Sequence, residues 1–258
     1  MATKDNSAPS GAALKIDNVQ SWRATLCRAT AWKTARYTKG NIEATVVGIS
    51  DDRGNTGYGY MPAMLIVGES PATAEALLHT TIVPLLRQGQ VDGVQPVMRD
   101  IDLAIGGNVQ LKFAVEEALL DLQAKRMQTP LFNLFGGLSR REVPVMRMLG
   151  LKPPKETADE ALALVERGYR YVKIKIGLDD KRDIETVKRT RDALGEDVYI
   201  SVDANQAYTP MHAVKVLNQL TDCNLIVCEQ PVRQDDVRGM AFVRHHVDVP
   251  IMADEGVT

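Results

Sequence analysis

The run YVKIKIGLDD, Tyr171–Asp180, decides how this chain folds. Side chains alternate along an extended strand, so Val172, Ile174 and Ile176 point one way and Lys173 and Lys175 the other. On a sheet with one wet face this is ordinary amphipathic patterning. On a strand covered on both faces, two ammonium groups are costly unless anionic groups meet them. The flanking sequence decides which case applies.

Branched-apolar runs begin at Pro144 (PVMRMLG), Tyr171, Val198 (VYISVDAN), Leu225 (LIVCEQP) and Ile251 (IMADEG), at intervals of 27, 27, 27 and 26 residues. Each gap holds one helical stretch: TADEALALVERG, RDIETVKRTRDALG, PMHAVKVLNQL and DDVRGMAFVRHH. Strand–helix units at this spacing predict a parallel sheet with right-handed crossovers, either doubly wound and open or an α/β TIM-type (β/α) barrel. No G-x-G-x-x-G or Walker-type loop follows a strand, which weakens a nucleotide-binding open sheet. Carboxylates follow the strands instead. That favours a barrel, whose active sites lie at the C-terminal ends of its strands.

Upstream the rhythm differs. LKIDNVQSWRATL (Leu14–Leu26) alternates as a strand, and EATVVGIS and TGYGY flank the turn DDRGN as a hairpin. Two helical stretches follow. SPATAEALLHTTIVPLLRQG opens on a Ser-Pro start signal, and QLKFAVEEALLDLQAKRM sets Leu111, Val115, Ala118, Leu119 and Leu122 on one face. Strands followed by helices predict an α+β unit, and FGGLSRREV reads as the hinge beyond it.

The 258 residues are 45% hydrophobic and 25% charged with a net charge of −2, so nothing points to nucleic acid or an anionic membrane as partner. No apolar run approaches the roughly 20 residues that a membrane span needs. The start MATKDNSAPSGAA lacks an apolar core and reads as a disordered tail over residues 1–13, not a secretory signal. Cys27, Cys223 and Cys228 lack C-x-x-C spacing; they argue for a reducing, cytoplasmic compartment and against a disulfide framework or zinc. His79, His212, His245 and His246 form no H-x-x-x-H pattern and read as ordinary surface or helix residues.

Reading the strand ends in turn gives Lys173 and Lys175, then Asp203, then Glu229, then Asp254 with Glu255. One acid at one strand end is a commonplace turn or cap residue. Three acids on consecutive strands, with K-x-K on the strand before, are not. Converging carboxylates repel one another unless a cation neutralises them. Oxygen donors without Cys or His suit a hard ion, Mg²⁺ first and Mn²⁺ second. Such an ion can bind a substrate carboxylate and offset the charge that develops when an α-proton leaves. A lysine beside it has its pKa lowered and can act as base near neutrality, a role that suits Lys175 at the strand's C-terminal end. Lys173, one step deeper, would hold the carboxylate and metal charge. Asn205, Gln206 and Gln230 read equally as loop-capping residues or substrate contacts.

Together V-K-I-K-I-G, V-D-A-N-Q-A-Y, E-Q-P and A-D-E resemble the enolase superfamily, and within it the mandelate racemase/muconate lactonizing enzyme family. The α+β half, with ALLDLQAKRMQTPLFNLFGG, resembles that family's capping domain, so the expected organisation is a capping domain over residues 14–138 and a partial barrel carrying the metal site over 139–258. The resemblance implies Mg²⁺ held by Asp203, Glu229 and Asp254, Lys175 as base and Lys173 assisting. It implies Glu255 behind the ligands, as in the muconate-lactonizing subgroup. It also implies removal of an α-proton from a small carboxylate to give a metal-stabilised enediolate, with racemisation or epimerisation, cycloisomerisation or dehydration as the outcome. CRATAWKTARYTKG resembles the loop that closes over substrate, with Arg28, Trp32, Lys33 and Tyr37 as candidate contacts. Gly59-Tyr60 stands where the family's hairpin has Gly-Glu, which removes that supporting carboxylate.

The chain stops at Thr258, after five barrel strands, whereas the family's barrel continues and carries a second lysine on the sixth. The expectation is therefore an N-terminal fragment of a longer polypeptide, with sheet edges that favour a homo-oligomer. Two other readings compete with an isomerase: an inactive structural or interaction protein, and a Schiff-base aldolase, which leaves the three acids unexplained.

Overall fold

The computed structural model describes residues 14–27, 32–33, 38–65, 68–88, 90–91 and 93–257. These form two compact units: the first takes the described residues up to Cys27 and from Asn41 to Arg141, the second those from Trp32 to Gly40 and from Glu142 onward. The strands are β1 (Leu14–Leu26), a short ribbon of β2 (Trp32–Lys33) against β3 (Thr38–Lys39), β4 (Ile42–Asp51), β5 (Thr56–Pro62), β6 (Gln90–Val91), β7 (Arg147–Leu149), β8 (Tyr171–Lys175), β9 (Tyr199–Asp203), β10 (Val227–Glu229) and β11 (Ile251–Met252). The helices are α1 (Pro71–Leu77), α2 (Val83–Leu86), α3 (Val94–Ala104), α4 (Val109–Arg126), α5 (Pro154–Glu166), α6 (Asp180–Leu194), α7 (Pro210–Leu217) and α8 (Val237–His246).

The first unit is an antiparallel sheet in the order β5-β4-β1-β6, with helices burying its apolar face. In β1, Leu14 and Ile16 are buried, and then Val19; a register irregularity between Ile16 and Asn18 accounts for the change of parity. β5 carries glycines because α4 lies directly on it: a Cβ at Gly59 would collide with the Ala114 carbonyl, and one at Gly57 with that of Ala118. The same helix satisfies the open edge of β5. Tyr58 and Tyr60 donate their backbone N–H groups to Asp121 (2.9 Å) and Glu117 (2.8 Å). An unpaired strand edge is thereby capped by side chains.

Two helical details differ from expectation. The Ser70–Gly89 stretch is not one α-helix: α1, opened by a Ser70–Thr73 capping box, widens into a π-helical turn over Leu78–Ile82 before α2. Pro84 has no N–H to give the Thr80 carbonyl, so the regular ladder cannot run through it. The sequence reading also passed over α3. Its Val94, Val97, Met98 and Ile101 follow helical spacing and are buried, but Pro96 and the short length weaken the signal.

The second unit is a five-stranded parallel sheet in the order β11-β10-β9-β8-β7, each strand joined to the next by a helix. Val172, Ile174 and Ile176 share a core with Ala161, Leu164 and Val187 of α5 and α6. The apolar face of β8 therefore meets helices, and Lys173 and Lys175 face the other way. Buried Arg191 donates to the carbonyls of Gly195, Val198, Cys223 and Asn224, gathering the backbone ahead of β9 and β10. Among the described residues, no helix is long and apolar enough to cross a membrane, and the three cysteines are free thiols.

Asp51 closes the β4–β5 turn by accepting from Arg53 N, Asn55 N and the Asn55 side chain, with Arg126 beside it at 3.3 Å. Burial raises its pKa, but these bonds more than offset that and leave it below the ordinary value. A depressed folded-state pKa means the stabilisation is complete above the unfolded value of about 4 and is lost as pH falls through the folded one. Asp51→Asn should therefore lower stability by about 1–3 kcal/mol at pH 7. Urea unfolding should show that deficit shrinking as the pH is lowered below about 4.

Candidate active site

Parallel pairing sets the C-terminal ends of β8, β9, β10 and β11 side by side. Lys175 stands opposite Asp203, Asp203 opposite Glu229, and Glu229 opposite Met252, two residues before Asp254. Lys175, Asp203 and Glu229 are all buried, and Lys173 is nearly so. The opening pattern is thus explained: both faces of β8 are covered, and the ammonium groups meet carboxylates.

The pairing is specific. Lys173 Nζ donates to both oxygens of Glu229 (2.9 and 2.7 Å) and lies 3.5 Å from Asp203 Oδ2. Lys175 Nζ donates to Asp203 Oδ2 and to Asn205 Oδ1, the latter at 2.8 Å. Asn205 in turn donates its backbone N–H to Asp203 Oδ1 (2.9 Å), and its side chain reaches Glu255 at 3.4 Å. Lys173, Lys175, Asp203, Asn205 and Glu229 therefore form one connected network, with Glu255 at its margin.

Burial lowers the Lys173 pKa, but the hydrogen bond and charge of Glu229, with Asp203, outweigh it and hold the ammonium above its usual value. Burial raises Glu229, and the adjacent Asp203 adds to this against the opposing pull of Lys173. Asp254 is also raised, first by burial and then by Glu255 and Asp203, while the two lysines oppose. Asp254 thus shares the field of the cluster although its residue is exposed and makes no direct bond to it.

The three strand-end acids do not converge on one point. Among the described residues, no three Asp, Glu, His or Cys side chains are oriented to share an ion. Asp203 and Glu229 are turned to the lysines, because two like charges placed together need compensation. The chemistry of the donor set still fits a hard dication: it offers carboxylate oxygens only, from adjacent strand ends. Glu255 Oε2, buried beside this rim, has no hydrogen-bond partner among the described residues. An orphaned acidic oxygen there is consistent with a cationic occupant.

The loops after the strands are held by side chains. Buried Asp183 accepts the N–H groups of Gly177 (2.6 Å), Leu178 (3.1 Å) and Asp179 (3.3 Å), fixing the turn that leaves Lys175. Burial raises its pKa despite those three bonds. The sequence reading missed Asp183; the available signal was an acid four residues into a helix that begins just after a strand-end glycine. Gln206 Oε1 accepts from Gln234 N at 2.9 Å, so Gln206 ties the loop after β9 to the loop after β10. A cavity of about 580 Å³ opens between these two loops, lined by Gln206, Tyr208, Thr209 and Arg233 but by none of the lysine–acid cluster. Of the candidate loop contacts, Arg28 and Tyr37 lie outside the described residues; Trp32 and Lys33 are placed by their backbone, paired with Lys39 and Thr38.

Comparison with known proteins gives the family. Residues 22–136 match the mandelate racemase / muconate lactonizing enzyme N-terminal domain, and residues 156–258 match the enolase C-terminal domain-like family. The chain belongs to the mandelate racemase/muconate lactonizing enzyme family of the enolase superfamily. It is 33% identical to the L-Ala-D/L-Glu epimerase of Bacillus subtilis (strain 168) over 248 residues, which cover 95% of this chain and 68% of the relative. It is 31% identical to the N-succinyl-L-Arg/Lys racemase of Bacillus cereus over 220 residues, covering 84% and 59% respectively. The dipeptide epimerase of Enterococcus faecalis V583, solved with Mg and the dipeptide L-Leu-L-Tyr, superposes with a TM-score of 0.86 at 30% identity, over 94% of this chain and 68% of that one. The chain thus spans about three fifths to two thirds of the length of the curated relatives it matches.

Removing the Lys173 ammonium would leave Glu229 and Asp203 as adjacent buried charges. Lys173→Met should lower stability at pH 7 by about 3 kcal/mol, the range expected for breaking a buried pair on one side. Adding Glu229→Gln should recover most of that loss in a double-mutant cycle followed by urea unfolding.

Proposed function

We propose that this chain carries the proton-abstracting site of an isomerase that acts at the α-carbon of a small carboxylate, with dipeptides and N-acylated amino acids as the substrate class. The observation that carries the reading is the buried row Lys175–Asp203–Glu229 at adjacent strand ends, with Lys173 beneath it. The substrate class is supported by relatives named as epimerases and racemases of such compounds.

Asp203, Glu229 and Asp254 would hold the ion, which Mg²⁺ fits best and Mn²⁺ next. When bound, it supplies positive charge that offsets the negative charge developing on the substrate carboxylate. Lys175, at the outer end of β8, acts as the base. As a neutral amine its Nζ accepts the α-proton and becomes an ammonium, while the C–H electron pair delocalises into the substrate carboxylate. Asn205 and Asp203 orient that Nζ, since both already receive its hydrogens. Lys173, bracketed by both oxygens of Glu229, is poorly placed to take a proton and serves as a fixed positive charge. Asp183 keeps the loop after Lys175 in place, so the base does not drift from its working distance. Return of a proton from Lys175 to the same face of that carbon gives exchange, whereas epimerisation requires a second proton donor on the opposite face.

The test is α-hydrogen exchange of L-Ala-L-Glu in D₂O with millimolar Mg²⁺, followed by proton NMR. Exchange should depend on Mg²⁺ and fall by about 10³-fold in Lys175→Ala, the scale of a general base. Exchange that persists at the wild-type rate in Lys175→Ala would overturn the assignment of the base.

A further inference from the structure

Gln230 follows Glu229 at the end of β10 and is fully buried, with a positive φ of 33°. A non-glycine residue in the left-handed region carries backbone strain that surrounding contacts must hold in place. Here those contacts come from four directions. Its backbone N–H donates to Met252 O (2.9 Å), and its carbonyl accepts from Gln206 N (2.7 Å). Its side-chain Nε2 donates to Val232 O at 2.9 Å. Its side-chain Oε1 accepts two backbone N–H groups, from Asp254 (2.9 Å) and Gly256 (3.1 Å).

The last pair matters most. β11 ends at Met252, so no strand ladder holds residues 254–256. Asp254 is exposed, and its side chain has no hydrogen bond among the interactions described for the site. Its place is set through its backbone, and that backbone is bonded to the carboxamide of Gln230. The turn is shaped to this contact: a Cβ at Gly256 would stand 3.3 Å from Gln230 Oε1 and from Gln234 O. A buried carboxamide is also suited to the task by charge. It offers an acceptor to two amides and a donor to a carbonyl, and adds no further negative charge beside Asp203, Glu229 and Asp254.

We infer that Gln230 is a positioning residue that holds Asp254 in place to complete the cation site, by accepting the Asp254 and Gly256 amides on one side-chain oxygen. The inference rests on the metal reading proposed above. Groups that orient a ligand from behind commonly change metal affinity by about 10–100-fold when removed.

The experiment uses the full chain with no substrate. Titration calorimetry with MgCl₂ measures affinity, and amide hydrogen exchange in the metal-free protein reports on residues 254–256. Gln230→Met, which keeps the length but removes the acceptor, should speed exchange at Asp254 and Gly256 and weaken Mg²⁺ binding about tenfold or more. If Gln230→Met does not fold, Gly256→Ala tests the same contact with Gln230 intact, and a smaller loss in the same direction is expected. Wild-type Mg²⁺ affinity with faster exchange, or unchanged exchange at both amides, overturns the positioning role while the metal reading stands. Absence of Mg²⁺ binding by the wild-type chain overturns the metal reading and this assignment with it.

Discussion

The parallel register across β8, β9 and β10 is the constraint on which the candidate site depends. Lys175, Asp203 and Glu229 are partners in successive ladders, so three charged side chains leave the sheet at one level. Parallel strands place like ends together, which no antiparallel sheet of the same sequences would do. Once at one level and buried, the charges must compensate one another. The second lysine, one pleat below on the same face, supplies what the two acids lack.

Such a cluster is specified by geometry more than it is stabilised by charge. Desolvating an ion costs several kcal/mol, and only short, well-directed contacts recover it. The structure meets that demand with side chains that each serve two elements. Asn205 bonds Lys175 while its own amide caps Asp203. Asp183 gathers the turn after β8, and Gln206 joins the two loops that follow. Asn205, Gln206 and Gln230 all have positive φ although none is glycine. Backbone strain is thereby present at the strand ends that carry the charged network, where the surrounding contacts hold it in place.

The antiparallel unit solves a different problem by related means. Its edge strand β5 is shielded by α4, which can approach because Gly57 and Gly59 lack side chains. The acids on that helix then serve β5 as hydrogen-bond acceptors. Neither the approach nor the acceptors could be read from TGYGY, where the glycines look like hairpin punctuation. The π-helical turn before α2 and the helix α3 were hidden for local reasons: Pro84 interrupts one pattern, and Pro96 weakens the other.

The sequence by itself determined the two-part architecture, the parallel order of the second unit and the identity of the charged residues at its strand ends. Those features follow from periodicity, which is a local property: alternation at β8, repeats of 26 or 27 residues, and an acid at the end of each of the last three apolar runs. Only the tertiary structure decided which acid each lysine meets. It set Lys173 on Glu229, set Lys175 between Asp203 and Asn205, and left Asp254 apart from both. Gln230 and Gln206, equally loop caps or substrate contacts in the sequence, became distinct once their acceptor oxygens were seen on backbone amides 24 to 28 residues away. Pairings of that separation depend on how strands are ordered and how far each side chain reaches, and no pattern within a single strand–helix unit encodes either.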